Sequence, residues 1–351
     1  MKKLLDKISG KVKKGTIKKA ARIPVFYATD ENYLPFAAIS ISSVLKNCDK
    51  NDKYDFYILT ENIPQEKKKY LKSFESENVK VRFVSVRNKI KGLITDLEKS
   101  LRDYYTVSIF YRLFIPSLFP LMKKAIYLDS DTIIRGNLRE LYDTDIGDNI
   151  LAACRDEAVS NCPEFIDYVE NAVGVPGEKY FNSGVLVMNL TKMREERIEQ
   201  KFVDLVKRYN FLTVAPDQDY LNFLSLDKVR YLDKVWDKMP CADDIDEEKI
   251  KLIHYNMCDK PWHYDGILYE KYFWIYAEEM PFYDELVLRK KNYSEEEKKR
   301  DTASKIALVQ KAKSIINEEK TFKKIMDKSK DEAERDFCGF DTFPRMQEAL
   351  K

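Results

Sequence analysis

The sequence predicts an α/β fold with a mainly parallel central sheet and a helical C-terminal extension. Two observations lead there. Apolar segments of strand length alternate with stretches of helical length from Ile23 onward, which is the pattern of a sheet flanked by crossover helices. After about Asp265 the chain becomes helical in spacing and very charged.

Taken in order, residues 1–22 form a basic leader in which Leu4, Ile8 and Val12 recur at helical spacing among lysines. One reading is a solvated helix, and the glycines at 10 and 15 favour it. The other is an interfacial arm on anionic lipid. IPVFYAT, from Ile23, is the first strand, and DENYLPFAAISISSVLKN runs from a loop into an amphipathic helix. KYDFYILTE is a second strand, and Pro64 opens a charged helix. VKVRFVSV alternates and gives a third strand. SIFYRLFIPSLFP is helical up to Pro116, and AIYLDSDTII, Ala125 to Ile134, reads as a core strand. ILAACRD follows, then an irregular segment around NCPEFIDYVENAVGVPGEKY, then the strand FNSGVLVMNL. KIKLI precedes HYNMCDKPW as a further strand. Near the end, Ser294 and Glu297 have capping-box spacing, and KIALVQKAKSII continues a helix. The organisation is therefore a leader over 1–22, a main domain over 23–291 and a charged helical tail over 292–351.

Composition excludes several classes. With 61 basic and 59 acidic residues, the chain has neither the basic excess of a nucleic-acid binder nor an acidic tail. No apolar run has bilayer-spanning length, and the N-terminus lacks a signal-peptide apolar core, so a cytoplasmic protein is expected. Peripheral contact at the inner face of the membrane is what the basic leader's second reading adds. The six cysteines show no CxxC spacing and read as reduced thiols. GxSxG, Walker A and GxGxxG motifs are all missing. Any mechanism that uses a histidine must choose between His254 and His263.

The chemistry centres on Asp129 and Asp131, separated only by Ser130 inside an apolar segment. If the strand persists through them, the two side chains share one face, with Cα atoms about 6.6 Å apart. Two carboxylates on one side suit a hard divalent cation, which removes their mutual repulsion. Two other readings stay open on the motif alone. Asp131 could cap a turn. A strand ending in DxD-T also resembles the haloacid dehalogenase phosphatases, with Asp129 as nucleophile, although Ile133 stands where that family has Thr or Val.

Further along, His254 follows a strand and Lys260 lies six residues on; DQDYLN begins at Asp217. These signatures, with IPVFYATDENY at the start and YFNSGVLVMNL between, resemble glycosyltransferase family 8 over roughly Ile23 to Leu286. The resemblance implies a Rossmann-like GT-A domain that transfers glucose or galactose from a UDP-sugar with retention. The acceptor would be a glycan, a lipid-linked sugar or a protein. It implies Mn²⁺, with Mg²⁺ as the other candidate, bound by Asp129, Asp131 and His254. A nitrogen ligand favours Mn²⁺ of the two. Lys260 would touch the diphosphate. Ala28, Thr29, Asp30, Asn32 and Tyr33 would form the uridine site, and Arg112 and Ser130 would contact the donor. Asn182, Ser183, Asp217 and Gln218 would meet the sugar, with Gln218 near the anomeric carbon. Where the family has glycine three residues after the histidine, this chain has Met257, which raises the alternative of a non-catalytic nucleotide-sugar binder.

Overall fold

The computed structural model describes residues 22–61, 63–93, 96–97 and 106–333. All of the basic leader but Arg22 lies outside these residues, as does the end of the tail. Seven strands form the main sheet: β1 (Ile23–Ala28), β2 (Tyr54–Thr60), β3 (Val79–Ser85), β4 (Lys124–Leu128), β6 (Leu151–Arg155), β7 (Phe181–Asn189) and β8 (Val229–Tyr231). A separate pair is made by β5 (Thr132–Ile134) and β9 (Leu252–His254). The main sheet has the order β3-β2-β1-β4-β7-β6-β8. Only β7 is antiparallel to its neighbours, so the mainly parallel sheet is as expected.

The central strands are apolar without alternation because both faces are covered. Val25, Phe26, Tyr27, Ile126 and Tyr127 are all fully buried, and their register is Val25 to Ile126 and Phe26 to Tyr127. The helix Leu34–Lys46 returns over this sheet and is buried along most of its length. Its Ser40 hydroxyl shares hydrogen bonds with Tyr27 OH and Thr132 Oγ1, both at 2.9 Å, and Ser43 Oγ accepts from Ile134 N. This helix therefore pins β5 to the sheet's edge.

AIYLDSDTII is not one strand. β4 stops at Leu128, and β5 starts at Thr132 in the other sheet. Asp129, Ser130 and Asp131 form the bend between them, closed by Thr132 Oγ1 donating to Asp129 O. The carboxylates thus reach a common site through a turn rather than by sharing a strand face. The break has a physical reason: a central strand of this sheet would bury both charges between apolar layers.

Two further expectations are corrected. The segment before Pro116 is a 3₁₀ helix, Val107–Phe114, and Pro116 sits in the first turn of a second helix, Ile115–Leu118, rather than ending the first. The segment read as irregular is helical over Pro163–Tyr168 and Val169–Val173, with a 3₁₀ turn at Gly177–Lys179.

The tail begins with the capping box. Ser294 Oγ accepts from Glu297 N, and the Glu297 carboxylate accepts from Ser294 N. The helix Glu295–Ile315 buries Leu308, Ala312 and Ile315, and the Phe322 ring packs tilted against Phe211 with centroids 4.1 Å apart. These side chains share one core with β4, β6 and β7 residues. Among the described residues, no helix is long and apolar enough to cross a membrane.

Candidate active site

In a parallel sheet, loops at the carboxyl ends of the strands form the ligand crevice. β1 and β4 end at Ala28 and Leu128, on the same edge. Because β7 runs the other way, its first residues, Phe181 to Gly184, arrive at that edge too. Asp129 N donates to Gly184 O at 2.7 Å. On the far side, β5 pairs with β9 so that Thr132 stands opposite His254, and Tyr255 N donates to Asp131 O. Two sheets therefore deliver the DSD turn and the histidine to one point.

There, ligand atoms of Asp129, Asp131 and His254 lie within 4.8 Å of one another. His254 Nε2 is 3.3 Å from Asp131 Oδ1 and 3.8 Å from Asp129 Oδ2. Adjacent donors bound to one ion at about 2.1 Å would stand roughly 3 Å apart, so small side-chain adjustments suffice for a shared cation. The space is specific. A Cβ on Gly184 would come within 2.2 Å of His254 Cε1 and 2.8 Å of Asp129 Oδ2. Two carboxylates and an imidazole are a donor set for Mn²⁺, and the residues fit.

The charges are compensated by two buried cations. Arg112 donates through Nη2 to Asp129 Oδ1 at 2.9 Å and through Nη1 to Ser183 Oγ at 3.1 Å, and its Nε is 3.1 Å from Asp217 Oδ2. Its guanidinium lies over the Tyr127 ring, whose hydroxyl also donates to Asp129 Oδ1. Burial alone would push the Arg112 pKa down; Asp129 and Asp217 outweigh it and raise it. A surface salt bridge is therefore not what Arg112 makes. Lys260 Nζ donates to Asp131 Oδ2 at 2.6 Å and to Tyr255 O. Burial would raise the Asp131 pKa, but Lys260 and His254 hold it below the usual carboxylate range. For His254, burial would lower the pKa; Asp237 and Asp131 overcome this and raise it to about 10.

The opposite wall is a polar network. Gln218 Oε1 accepts from Ser183 N, and its Nε2 donates to Asp156 Oδ2, both at 2.9 Å. Asn182 Nδ2 donates to the same Asp156 oxygen at 3.0 Å. Ser183 Oγ is 3.1 Å from Asp217 Oδ2. Burial raises the pKa of Asp217. At the β1 end, Thr29 is buried, and Asp30 Oδ1 accepts from the N–H groups of Asn32 and Tyr33.

Ala28, Thr29, Asp30, Tyr33, Arg112, Asp129, Ser130, Asp131, Asn182, Ser183, Asp217, Gln218, His254 and Lys260 all line this one cleft, with Met257 beside them. Asn32 does not line it: the residue is exposed, and its N–H is turned back to Asp30. Met257 has φ 60°, the left-handed conformation that glycine adopts freely. Sequence reasoning missed Asp156 and Gly184. A strand ending in an acidic residue, as ILAACRD does, was the available signal for Asp156; the glycine inside FNSGV was the signal for Gly184.

Comparison with known proteins agrees. The model of glycosyl transferase family 8 matches residues 24–266. A putative glycosyltransferase of Haemophilus influenzae is 33% identical over 252 residues, which cover 68% of this chain and 72% of its own length. A lipopolysaccharide 1,2-glucosyltransferase of Escherichia coli is 30% identical over 259 residues, covering 68% and 73%. Among solved structures, the galactosyltransferase LgtC, with donor and acceptor sugar analogues, has TM-score 0.62 at 24% identity, over 74% of this chain and 96% of its own. The bifunctional glycosyltransferase WbbM has TM-score 0.67 at 24% identity, over 78% of this chain and 52% of its own. These two likenesses are of fold, the GT-A fold. The family match runs from the first strand of the main sheet through β9 and the lysine loop, and on that span the chain belongs to glycosyltransferase family 8.

Proposed function

We propose that the protein transfers glucose or galactose from a UDP-sugar to a glycan, lipid-linked or protein acceptor, with retention and with Mn²⁺ held by Asp129, Asp131 and His254. The observation that carries this reading is the convergence of those three groups beside the Lys260 amine in a single cleft. A cation bound there would supply Lewis-acid neutralisation of the departing diphosphate.

The chain's own residues do the rest. Lys260, buried beside Asp131, brings a second positive charge to the leaving group. Arg112 ties up Asp129 Oδ1 and leaves Oδ2 directed at His254. Ala28, Thr29, Asp30 and Tyr33 line the end of the cleft formed by β1 and receive the uridine, with Tyr33 stacking on the base. Asn182, Ser183 and Asp217 meet the sugar hydroxyls. Gln218 is fixed by Ser183 N and Asp156 and acts as a positioning group near the anomeric carbon, because an amide is a poor nucleophile. Asp217 is already engaged by Arg112 and Ser183, so front-side attack, with the departing diphosphate taking the acceptor proton, fits this wall better than a covalent intermediate. Family membership sets aside the phosphatase reading of the DSD turn.

The test is UDP release from UDP-glucose and UDP-galactose with Mn²⁺, with and without chelator, beside hydrolysis of p-nitrophenyl phosphate. Chelator-sensitive UDP release and no phosphate-ester hydrolysis are expected. UDP binding with no turnover on any hexose donor would overturn the transferase reading in favour of a nucleotide-sugar binder. NMR of the product's anomeric proton checks retention.

A further inference from the structure

Asp237 stands behind the site, outside the cleft. It follows the 3₁₀ turn Lys234–Trp236, and the next residue is bridged to β9: Lys238 N donates to Leu252 O, and His254 N donates to Lys238 O. This backbone bridge holds the Asp237 side chain against the imidazole. Oδ1 lies 3.0 Å from His254 Nδ1. Asp237 is 2% exposed, and its Oδ2 has no hydrogen-bond partner among the described residues.

A buried carboxylate with one unsatisfied oxygen is a poor stabilising device, because its desolvation outweighs what a single contact returns. An apolar side chain would fill the same space at less cost. What the carboxylate supplies is direction. A ring whose Nδ1–H is held by an acceptor presents Nε2 on its other side, unprotonated when a metal is bound. That other side faces Asp131 Oδ1 and Asp129 Oδ2.

We propose that Asp237 is a positioning residue for the metal site: it accepts the Nδ1 proton of His254 and so fixes the ring and its tautomer with Nε2 as the coordinating atom. The inference rests on the reading of Asp129, Asp131 and His254 as ligands of a divalent cation, and it adds a residue from outside the cleft to that site.

The test uses Mn²⁺ binding to the full chain in the presence of UDP, followed by electron paramagnetic resonance, with nitrogen modulation of the bound ion as the reporter of imidazole coordination. His254→Ala is the control that lacks the modulation. Asp237→Leu should weaken Mn²⁺ about 10- to 100-fold and reduce the nitrogen modulation even at saturating metal. Asp237→Asn keeps an acceptor oxygen and should stay within about threefold of wild type, with the modulation intact. A merely structural residue would change neither the modulation nor its rescue by asparagine. A second measurement needs no variant. The chain has two histidines, so ¹⁵N-histidine labelling of the Zn²⁺-loaded wild type should show one ring protonated at Nδ1 and coordinated at Nε2. Coordination through Nδ1, wild-type behaviour of Asp237→Leu, or equal losses in Asp237→Leu and Asp237→Asn would each overturn the assignment while the metal site stands. No Mn²⁺ binding by the wild type would remove the metal reading itself, and the assignment with it.

Discussion

Gly184 and His254 are in such close apposition that a methyl group on the glycine would stand 2.2 Å from the imidazole Cε1. The same methyl would be 2.8 Å from Asp129 Oδ2. Gly184→Ala should therefore displace two of the three proposed cation ligands at once. Overpacking of this kind costs about 1–3 kcal/mol, so the variant should fold. Its Mn²⁺ affinity should fall at least about tenfold, as for loss of ligand orientation. Calorimetric metal titration beside a thermal melt checks both, and an unchanged affinity would show that the ring has room the structure denies it.

Asp129→Asn and Asp131→Asn should each abolish metal-dependent UDP release. They should differ in stability. Asp131 is the acidic partner of a buried lysine, whereas Asp129 shares Arg112 with Asp217. Losing the charge at 131 leaves Lys260 short of its counter-ion, and removing one partner of a buried pair costs about 3–5 kcal/mol at the upper end. Denaturant melts should rank Asp131→Asn below Asp129→Asn. Turnover like wild type in either would contradict the ligand assignment.

Much of this site was legible in the sequence, and the parts that were not share a cause. The strands β1 and β2 and the edge strand β3 stood out because apolar or alternating runs are bounded by polar turns. Strand direction leaves no trace in such a pattern, so the reversal of β7, which brings Asn182 and Ser183 to the cleft, could not be read. The DSD segment was misjudged because apolar residues on both sides mimic one continuous strand; the exchange of sheets at Asp129 is a tertiary event. Asp156 and Asp237 carry no motif. Asp156 has only the weak cue of an acid at a strand end, and Asp237 has none; packing against Gln218 or His254 is what distinguishes them.

If His254 is a ligand of the proposed cation, its proton competes with the metal. In the metal-free protein its pKa is raised from 6.5 to about 10; burial works against the charged form, but Asp237 and Asp131 prevail. A raised folded pKa gives stability that is fully present below the unfolded value and is lost as pH rises through about 10. Mn²⁺ must displace a proton from Nε2, so its affinity should climb with pH, by up to about tenfold per unit. Titrations in two buffers of different ionisation enthalpy should find close to one proton released. His263, whose pKa is lowered to about 4 by burial and by Arg289, stacks on Tyr293 and lies outside this equilibrium. His254→Ala should thus weaken Mn²⁺ far more than His263→Ala, and equal losses would refute the choice between them.

The tail holds the lysine loop. Asp301 Oδ2 accepts from Tyr264 OH and Tyr293 OH, each at 2.7 Å, and Lys305 Nζ donates to both oxygens of Asp259 at 2.6 and 2.7 Å. Asp301→Ala should free the stretch from Met257 to Tyr264 without loosening the sheet. Hydrogen exchange should accelerate in that loop by an amount matching about 1–3 kcal/mol, with β1 and β4 unchanged. Uniform acceleration would mean that the tail stabilises the whole domain and not this loop.

Met257 gives the sharpest test of the phosphate end of the site. Its φ of 60° is left-handed, and its side chain both lines the cleft and packs on the core. A non-glycine residue pays roughly 1–2 kcal/mol for that conformation. Met257→Gly removes this strain, but it adds unfolded-chain entropy worth roughly 0.5–1 kcal/mol and loses the packing of the thioether stem. These effects oppose one another, so the melting temperature should barely move. UDP affinity should not be balanced in the same way. Glycine lets the backbone approach a phosphate oxygen, and a charge-assisted hydrogen bond contributes about 1.5–3 kcal/mol. Tighter UDP binding with Mn²⁺ present is therefore expected. Met257→Ala separates bulk from backbone, since alanine clears the cleft yet keeps the strained φ. Calorimetry should place Met257→Gly tightest, Met257→Ala between and wild type weakest. Equal gains from alanine and glycine would assign the effect to bulk alone, and no gain from either would show that the diphosphate is held away from this turn.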